Sequence, residues 1–376
     1  MVSHDSTGRA SVGCTVSTAE SYRVVAPAHR VRGRFLLQRV PMQERRLNIG
    51  IAGAGHFGRF HALKVAGNRR AVLAGLFDPD RARAATVGRE AGGAPALDWP
   101  ALLDASDAVI VAAPAEAHHD LAAEALRAGR HVLVEKPIAA TLAQADALDR
   151  LARERGRVLQ VGHLLRYSAE HRAIAARVAR PLYIEATRIA PYKPRGTDVS
   201  VILDLMIHDL DLVLTLVGSP VESVDAVGAA VSSPHEDIAN ARVRFENGCV
   251  ATVTASRVSF KTERRMRLFS EEGYLSADFV TRKLVMIGKG RGLPLPGTGG
   301  YRREEASWQD HDALAAEHDA FVASCLDGAP VLVDAAAGRQ ALAAALAVSE
   351  SIAQSRRRAV ASGLIQDPQH LAGGGL

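Results

Sequence analysis

The pattern of apolar and polar positions changes character twice along the 376 residues. Residues 1–46 hold no sustained hydrophobic period, and Ser, Arg, Pro and Gly are scattered through them. That segment is expected to be disordered. Met42 directly precedes QERRLNIGIAG. Two explanations of residues 1–41 therefore stand side by side: an over-extended gene start and a short arginine-rich targeting segment. From Leu47 the chain alternates short apolar runs with Ala/Leu-rich helical stretches. LNIGIA (47–52), AVLAGLF (71–77), AVIVAA (108–113), HVLVE (131–135) and RVLQVG (157–162) read as buried strands. Helices are expected from about Phe57, after Asp78, and over 116–128 and 141–155. Near-continuous apolar strands separated by helices predict an α/β architecture with a doubly wound parallel sheet.

Beyond about Arg166 the grammar shifts. A helix near 169–179, a strand over 182–189 and a helix over 201–217 precede a series of extended segments at 221–231, 238–245, 249–256, 264–269 and 274–279. Asn247-Gly248 lies between two of them and signals a tight hairpin. The expected second part is an α+β domain with a mostly antiparallel sheet. Helices over 311–326 and 335–357 close the pattern, and the stretch 358–376, ending AGGGL, is expected to be a flexible tail.

Composition narrows the class without fixing it. Hydrophobic residues at 48% and charged residues at 23% suit a globular chain with a sizeable core, and the length favours two domains. The net charge of +5 suggests a nucleic-acid partner until its distribution is read. Six arginines against two acids fall within 1–41, leaving only about +1 for the rest. No domain-scale basic face is expected, and so no nucleic-acid partner. Cys14, Cys249 and Cys325 show no paired or metal-binding spacing, which fits a reducing, cytoplasmic setting. No apolar run of ~18 residues offers a bilayer span, so no membrane association is expected.

Gly53-Ala54-Gly55-His56-Phe57-Gly58 matches GxGxxG, follows a strand and opens a helix. In that context the first glycine permits a tight turn, the second a close backbone approach to a pyrophosphate, and the third close helix packing. The free N–H groups of the helix start favour phosphate. Asp78 follows Gly58 by 20 residues at the end of the second strand, where an acid meets the adenosine ribose. The cofactor expected is NAD, since a carboxylate there repels a 2′-phosphate; Arg81 and Arg83 close by keep NADP in play. The plainer reading is a glycine turn with Asp78 capping the next helix. The expected organisation is therefore a 1–46 extension, a Rossmann domain over 47–165, a substrate domain over 166–357 and the tail.

HVLVEKP (131–137) ends a parallel strand with Glu135, Lys136 and Pro137. Ligands of such sheets bind at the carboxyl ends of the strands, so Lys136 would aim its ammonium at the cleft; an exposed turn lysine is the alternative. In DLMIHDLD (204–211), Asp204, His208 and Asp211 share one face of a regular helix, amid the apolar Leu205, Met206, Ile207 and Leu210. Ionisable groups beside such a run are costly unless exposed or employed. No metal is expected, because no further ligands cluster in sequence.

GAGHFGRFHA (53–62), Pro114-x-x-x-His118, ALRAGRHVLVEKP (125–137) and the Asp-x-x-x-His-x-x-Asp pattern at 204–211 together resemble the Gfo/Idh/MocA oxidoreductases from about Leu47 to Arg357. The resemblance implies an NAD-dependent sugar dehydrogenase with Lys136, Asp204 and His208 serving the reacting hydroxyl. The residues expected at the cofactor are Gly53, Gly55, His56, Phe57, Gly58, Asp78, Pro114, His118, Glu135 and Lys136. Within the family, 190–220 and 237–259 look like the UDP-N-acetylglucosamine 3-dehydrogenases. That implies oxidation of the nucleotide sugar at C3, feeding amination for lipid A. Substrate contacts are expected from Arg166, Tyr167, Arg188, Tyr192, Lys193 and Arg195, with Asp204 and His208. Either His208 or Lys136 can serve as the base. Another sugar or inositol as substrate, or a non-catalytic dinucleotide sensor, remain as alternatives. A homo-oligomer, dimer or tetramer, is expected through an exposed sheet face.

Overall fold

The computed structural model describes residues 45–193, 199–293, 300–308 and 311–365. The expectations for residues 1–44, for Arg195 and for the tail beyond 365 lie outside them. The first half alternates strand and helix in chain order. It runs β1 (Leu47–Ala52), α1 (His56–Gly67), β2 (Ala71–Phe77), α2 (Arg81–Ala91), α3 (Trp99–Asp104), β3 (Ala108–Val111), α4 (Ala115–Arg127), β4 (His131–Glu135), α5 (Leu142–Arg155) and β5 (Leu159–Gly162). All neighbours pair in parallel, in the order β2-β1-β3-β4-β5. Every residue of β3 and β5 is buried, as two-sided helix cover requires. Side-chain caps fix where helices begin. Asp80 and Asp98 accept from the N–H three residues on, and Thr141 and Gln144 close a reciprocal capping box. Each cap contributes about 1 kcal/mol.

A 3₁₀ turn at Leu164–Tyr167 leads into α6 (Ala169–Ala175) and β6 (Pro181–Ile189). A π-helical turn (Ile202–Met206) then runs directly into α7 (Ile207–Val217). The rest of the second sheet is β7 (Val221–Ala229), β8 (Ile238–Phe245), β9 (Val250–Ser256), β10 (Glu263–Ser270), β11 (Gly273–Asp278), β12 (Lys283–Leu293) and β13 (Tyr301–Ser307). Its order is β13-β12-β11-β10-β6-β9-β8-β7, antiparallel except where β6 lies parallel to β9. Strands β12 and β13 and the short helix α3 were not anticipated from the pattern.

The second sheet is half-buried, and its sequence alternates accordingly. In β8, Ala239, Ala241, Val243 and Phe245 face inward while Arg242 and Arg244 face out. The inward face packs against α7 and the last helix, α9 (Ala335–Ala361), which follows α8 (Ala313–Asp327). Helix α9 runs four residues past the expected end at Arg357. Its basic last turn suits the negative end of a helix dipole. Helices α8 and α9 also cross back to the first sheet: Phe321 and Val322 join the core of Ile49, Ile51 and Leu133, and Leu342 joins that of Val132 and Val161. Residues from Arg46 onward cluster as one compact unit. No helix among the described residues is long and apolar enough to cross a membrane.

Candidate active site

The strand order reverses direction between β1 and β3, and a parallel sheet opens its ligand crevice at that point. An open cleft of about 410 Å³ lies there, lined by Gly53, Gly55, His56, Phe57, Asp78, Pro114, His118, Glu135, Lys136, Leu203 and Asp204 among others. A larger cavity of about 870 Å³, between β7 and α9, contains neither the glycine turn nor Lys136.

The glycine turn fits a dinucleotide. Gly53 has φ +99°, and a Cβ there would lie 2.5 Å from the Ala112 carbonyl oxygen. A Cβ on Gly58 would fall 1.8 Å from the Gly53 carbonyl oxygen, so Gly58 sits behind the turn and lets α1 pack on it. A Cβ on Gly55 would meet no atom within 4 Å. That position opens into the cleft at the start of α1, whose first turn has no side-chain cap. The free N–H groups there suit a pyrophosphate. At the end of β2, Asp78 is held by four donors: Ala54 N (2.7 Å), Asp80 N (2.8 Å), and Arg83 Nη2 (2.7 Å) and Nε (3.2 Å). Burial alone would raise the pKa of this carboxyl. The Arg83 and backbone donors outweigh it and hold the group below its ordinary value.

His118 lines the cleft and turns both ring nitrogens to its walls. Its Nδ1 bonds the Pro137 carbonyl (2.7 Å) and its Nε2 that of Ala113 (2.9 Å), tying the ends of β3 and β4 together. Burial lowers its pKa, so the neutral ring donates to one of these carbonyls at a time. Glu135 is likewise turned inward. One oxygen meets His61 Nε2 at 2.9 Å and the other accepts from the Lys136 N–H at 3.2 Å. His61 Nδ1 continues to His318 Nε2 at 2.8 Å, and the unpartnered Glu317 carboxyl lies alongside. Burial and the nearby Glu135 raise the pKa of Glu317 well above its usual range, so it is held neutral. Ligand-type atoms of His61, Glu135 and Glu317 lie within 4.8 Å of one another. Both nitrogens of His61 are already committed to hydrogen bonds, so this is a proton-linked cluster.

Lys136 reaches across the cleft. Its Nζ donates to the Asp204 carbonyl at 2.8 Å and lies 3.5 Å from Asp204 Oδ1. The regular helix expected over 201–217 is not what carries Asp204. That residue sits in the π turn, and α7 begins only at Ile207. The wider turn presents to Lys136 a carbonyl that an unbroken α-helix would give to the His208 N–H. His208 has a buried Nδ1 without a hydrogen-bond partner. Burial, then Lys136, Arg188, His163 and Arg264, lower its pKa well below the ordinary value. It is therefore a neutral imidazole beside an ammonium. Asp211, one turn further along α7, lies 4.0 Å from His163 Nδ1 and 3.5 Å from Arg166 Nε, and burial raises its pKa.

The expected substrate contacts divide. Tyr192 is 43% exposed and Lys193 is exposed, both just past β6. Arg188 does not present its charge to solvent. Strand alternation turns it to the helix-covered face, where it is 5% exposed and bonds Asp209 at 2.6 and 2.9 Å. Tyr167, 3% exposed, belongs to the core of the first sheet, and Arg166 is tied to Asp211 and the Thr215 hydroxyl. His61, His163, Glu317 and Arg264 were not singled out from sequence. His163 follows β5 directly, so the strand-end rule that found Lys136 would have found it.

Residues 47–163 match the oxidoreductase family with an NAD-binding Rossmann fold, and residues 171–276 match the GFO/IDH/MocA C-terminal domain. The UDP-N-acetylglucosamine 3-dehydrogenase of Acidithiobacillus ferrooxidans is 43% identical over 312 residues, 81% of this chain and 97% of the relative. A solved structure of that enzyme superposes with a TM-score of 0.77 at 42% identity, covering 82% of this chain and 97% of the other. The NAD-dependent scyllo-inositol 2-dehydrogenase of Bacillus subtilis is 27% identical over 269 residues, 66% of this chain and 79% of the relative. Glycine turn, strand-end lysine and both domain matches converge: the chain belongs to the Gfo/Idh/MocA family of NAD-binding oxidoreductases.

Proposed function

We propose that this chain oxidises UDP-N-acetylglucosamine at C3 to the 3-keto nucleotide sugar with NAD. The observation that carries the reading is the Lys136–Asp204 contact at 3.5 Å, at the mouth of the dinucleotide cleft with neutral His208 beside it. The 43% identity to an enzyme of that activity supports the choice of substrate. Gly53, Gly55 and the start of α1 hold the pyrophosphate, and Asp78 holds the adenosine ribose. Bound NAD supplies a hydride acceptor. His208, kept in its free-base form, takes the hydroxyl proton. Lys136 stabilises the alkoxide as it forms, and Asp204 keeps that ammonium in place. The same reading gives substrate contacts to Tyr192, Lys193 and Arg195. The 3-keto product is suited to amination on the way to a lipid A with a 3-amino sugar, in the cytoplasm. Tyr183, Phe269 and Tyr274 form an aromatic cluster on the outer face of the second sheet, and this cluster supports self-association as a dimer or tetramer.

The purified protein should reduce NAD with UDP-N-acetylglucosamine far faster than with scyllo-inositol or free N-acetylglucosamine, followed by NADH absorbance. Lys136→Met and His208→Asn should each lower turnover by ~100-fold or more while dinucleotide affinity is kept. Turnover unaffected by either change would remove the assigned chemistry.

A further inference from the structure

Two arginines, Arg188 and Arg264, meet across the second sheet. Arg264 stands directly opposite Arg188 in the antiparallel pairing of β10 with β6. Opposed residues on paired strands put their side chains on the same face. That face is the inner one, since Met266 and Leu268 follow Arg264 at alternate positions and are buried.

The two guanidinium groups have unequal partners. Arg188 holds Asp209 by a two-point ion pair. Arg264 is exposed and, among the described residues, makes no hydrogen bond or ion pair through its guanidinium. Two cations therefore share one carboxylate. Partial burial and the repulsion of Arg188 make the charged form of Arg264 harder to keep, and only Asp209 offsets them. An exposed guanidinium set beside a second one, with a single carboxylate between them, is open to an anion that completes the set. The position is close enough to the reacting groups for Arg264 to act electrostatically on His208, the residue immediately before Asp209.

We infer that Arg264 binds the diphosphate of the substrate, with Arg188 locked behind it as a fixed second positive charge. The inference rests on the nucleotide-sugar reading above and deepens it. A neutral sugar or inositol has no group that needs this charge; a nucleoside diphosphate sugar does. The planar fork of an arginine suits two phosphate oxygens at once, which a lysine cannot match. Arg264 touches substrate but not the reacting atoms, so its effect belongs in KM rather than kcat.

Calorimetric titration of UDP and of UDP-N-acetylglucosamine into the NAD-loaded protein, for the natural chain, Arg264→Gln and Arg264→Lys, tests this. Arg264→Gln should weaken UDP by about tenfold or more and raise KM in proportion, with a much smaller change in kcat, while NAD affinity stays the same. Arg264→Lys should recover part of the loss. UDP affinity unchanged in Arg264→Gln overturns the inference and leaves the proposed function standing. If the natural chain binds neither UDP nor its sugar conjugate, both fall together.

Discussion

The side chain that decides which dinucleotide enters is not Asp78 alone. Its two oxygens are filled by four donors, two of them from Arg83. A ribose that claims the carboxylate must displace the guanidinium, which is half-exposed and free to move. A released Arg83 guanidinium would offer a cation to a 2′-phosphate, so Arg83 is expected to compete with NAD for Asp78 and to narrow the preference against NADP. Arg83→Met should therefore raise the ratio of NAD to NADP affinity by about tenfold, read by quenching or calorimetry with each dinucleotide. A ratio that stays within twofold would show the ion pair to be a bystander. Sequence placed Asp78 and Arg83 near each other, and the glycines and Lys136 were legible for the same reason: their roles follow from strand ends and turns. For Arg188, alternation tells which face the side chain takes but not what covers that face. The covering residue, Asp209, comes from another element.

At the scale of elements, the buried strands β1 to β5 were readable because two-sided burial leaves almost no polar position in them. Strand β13, YRREEAS, has only exposed or half-buried residues, so no apolar period announces it. The π turn was equally invisible, since Ile202–Met206 continues the apolar rhythm of α7. Yet that turn is what presents Asp204 to Lys136. A π turn is one residue wider than an α turn and recurs at functional sites. Deleting Leu205 should close it into α-helix and carry Asp204 out of register with Lys136. The variant should keep its dinucleotide affinity and a Tm within about five degrees, because the core faces of α7 beyond Ile207 are unchanged. Its turnover should fall by ~100-fold. Near-natural turnover in a folded deletion variant would mean the turn is incidental.

Across the whole molecule the buried titratable groups set how stability responds to pH. Burial lowers the pKa of His118, His163, His208 and His318, and brings His171 down to about 4. In the unfolded chain each of these takes up a proton as pH falls through about 6.5. A group with a depressed folded pKa contributes stability that is present above its unfolded value and lost as pH drops towards the folded one. Glu317 and Asp211 act with the opposite sign, since burial raises their pKa values. Their contribution is complete below the unfolded carboxylate range and is lost as pH rises. Between pH 6.5 and 5.5 the protons taken up by the five unfolded imidazoles exceed those held in the fold by the two carboxyls, so the unfolded state binds more protons and acidification destabilises the fold. Each net proton changes stability by about 1.4 kcal/mol per pH unit. Thermal unfolding followed by intrinsic fluorescence should show Tm falling by roughly five degrees or more over that interval. A flat or rising Tm would require these imidazoles to be charged in the folded protein. A charged His208 could not accept the substrate's proton, so the melting curve bears on the assignment of the base as well as on the fold.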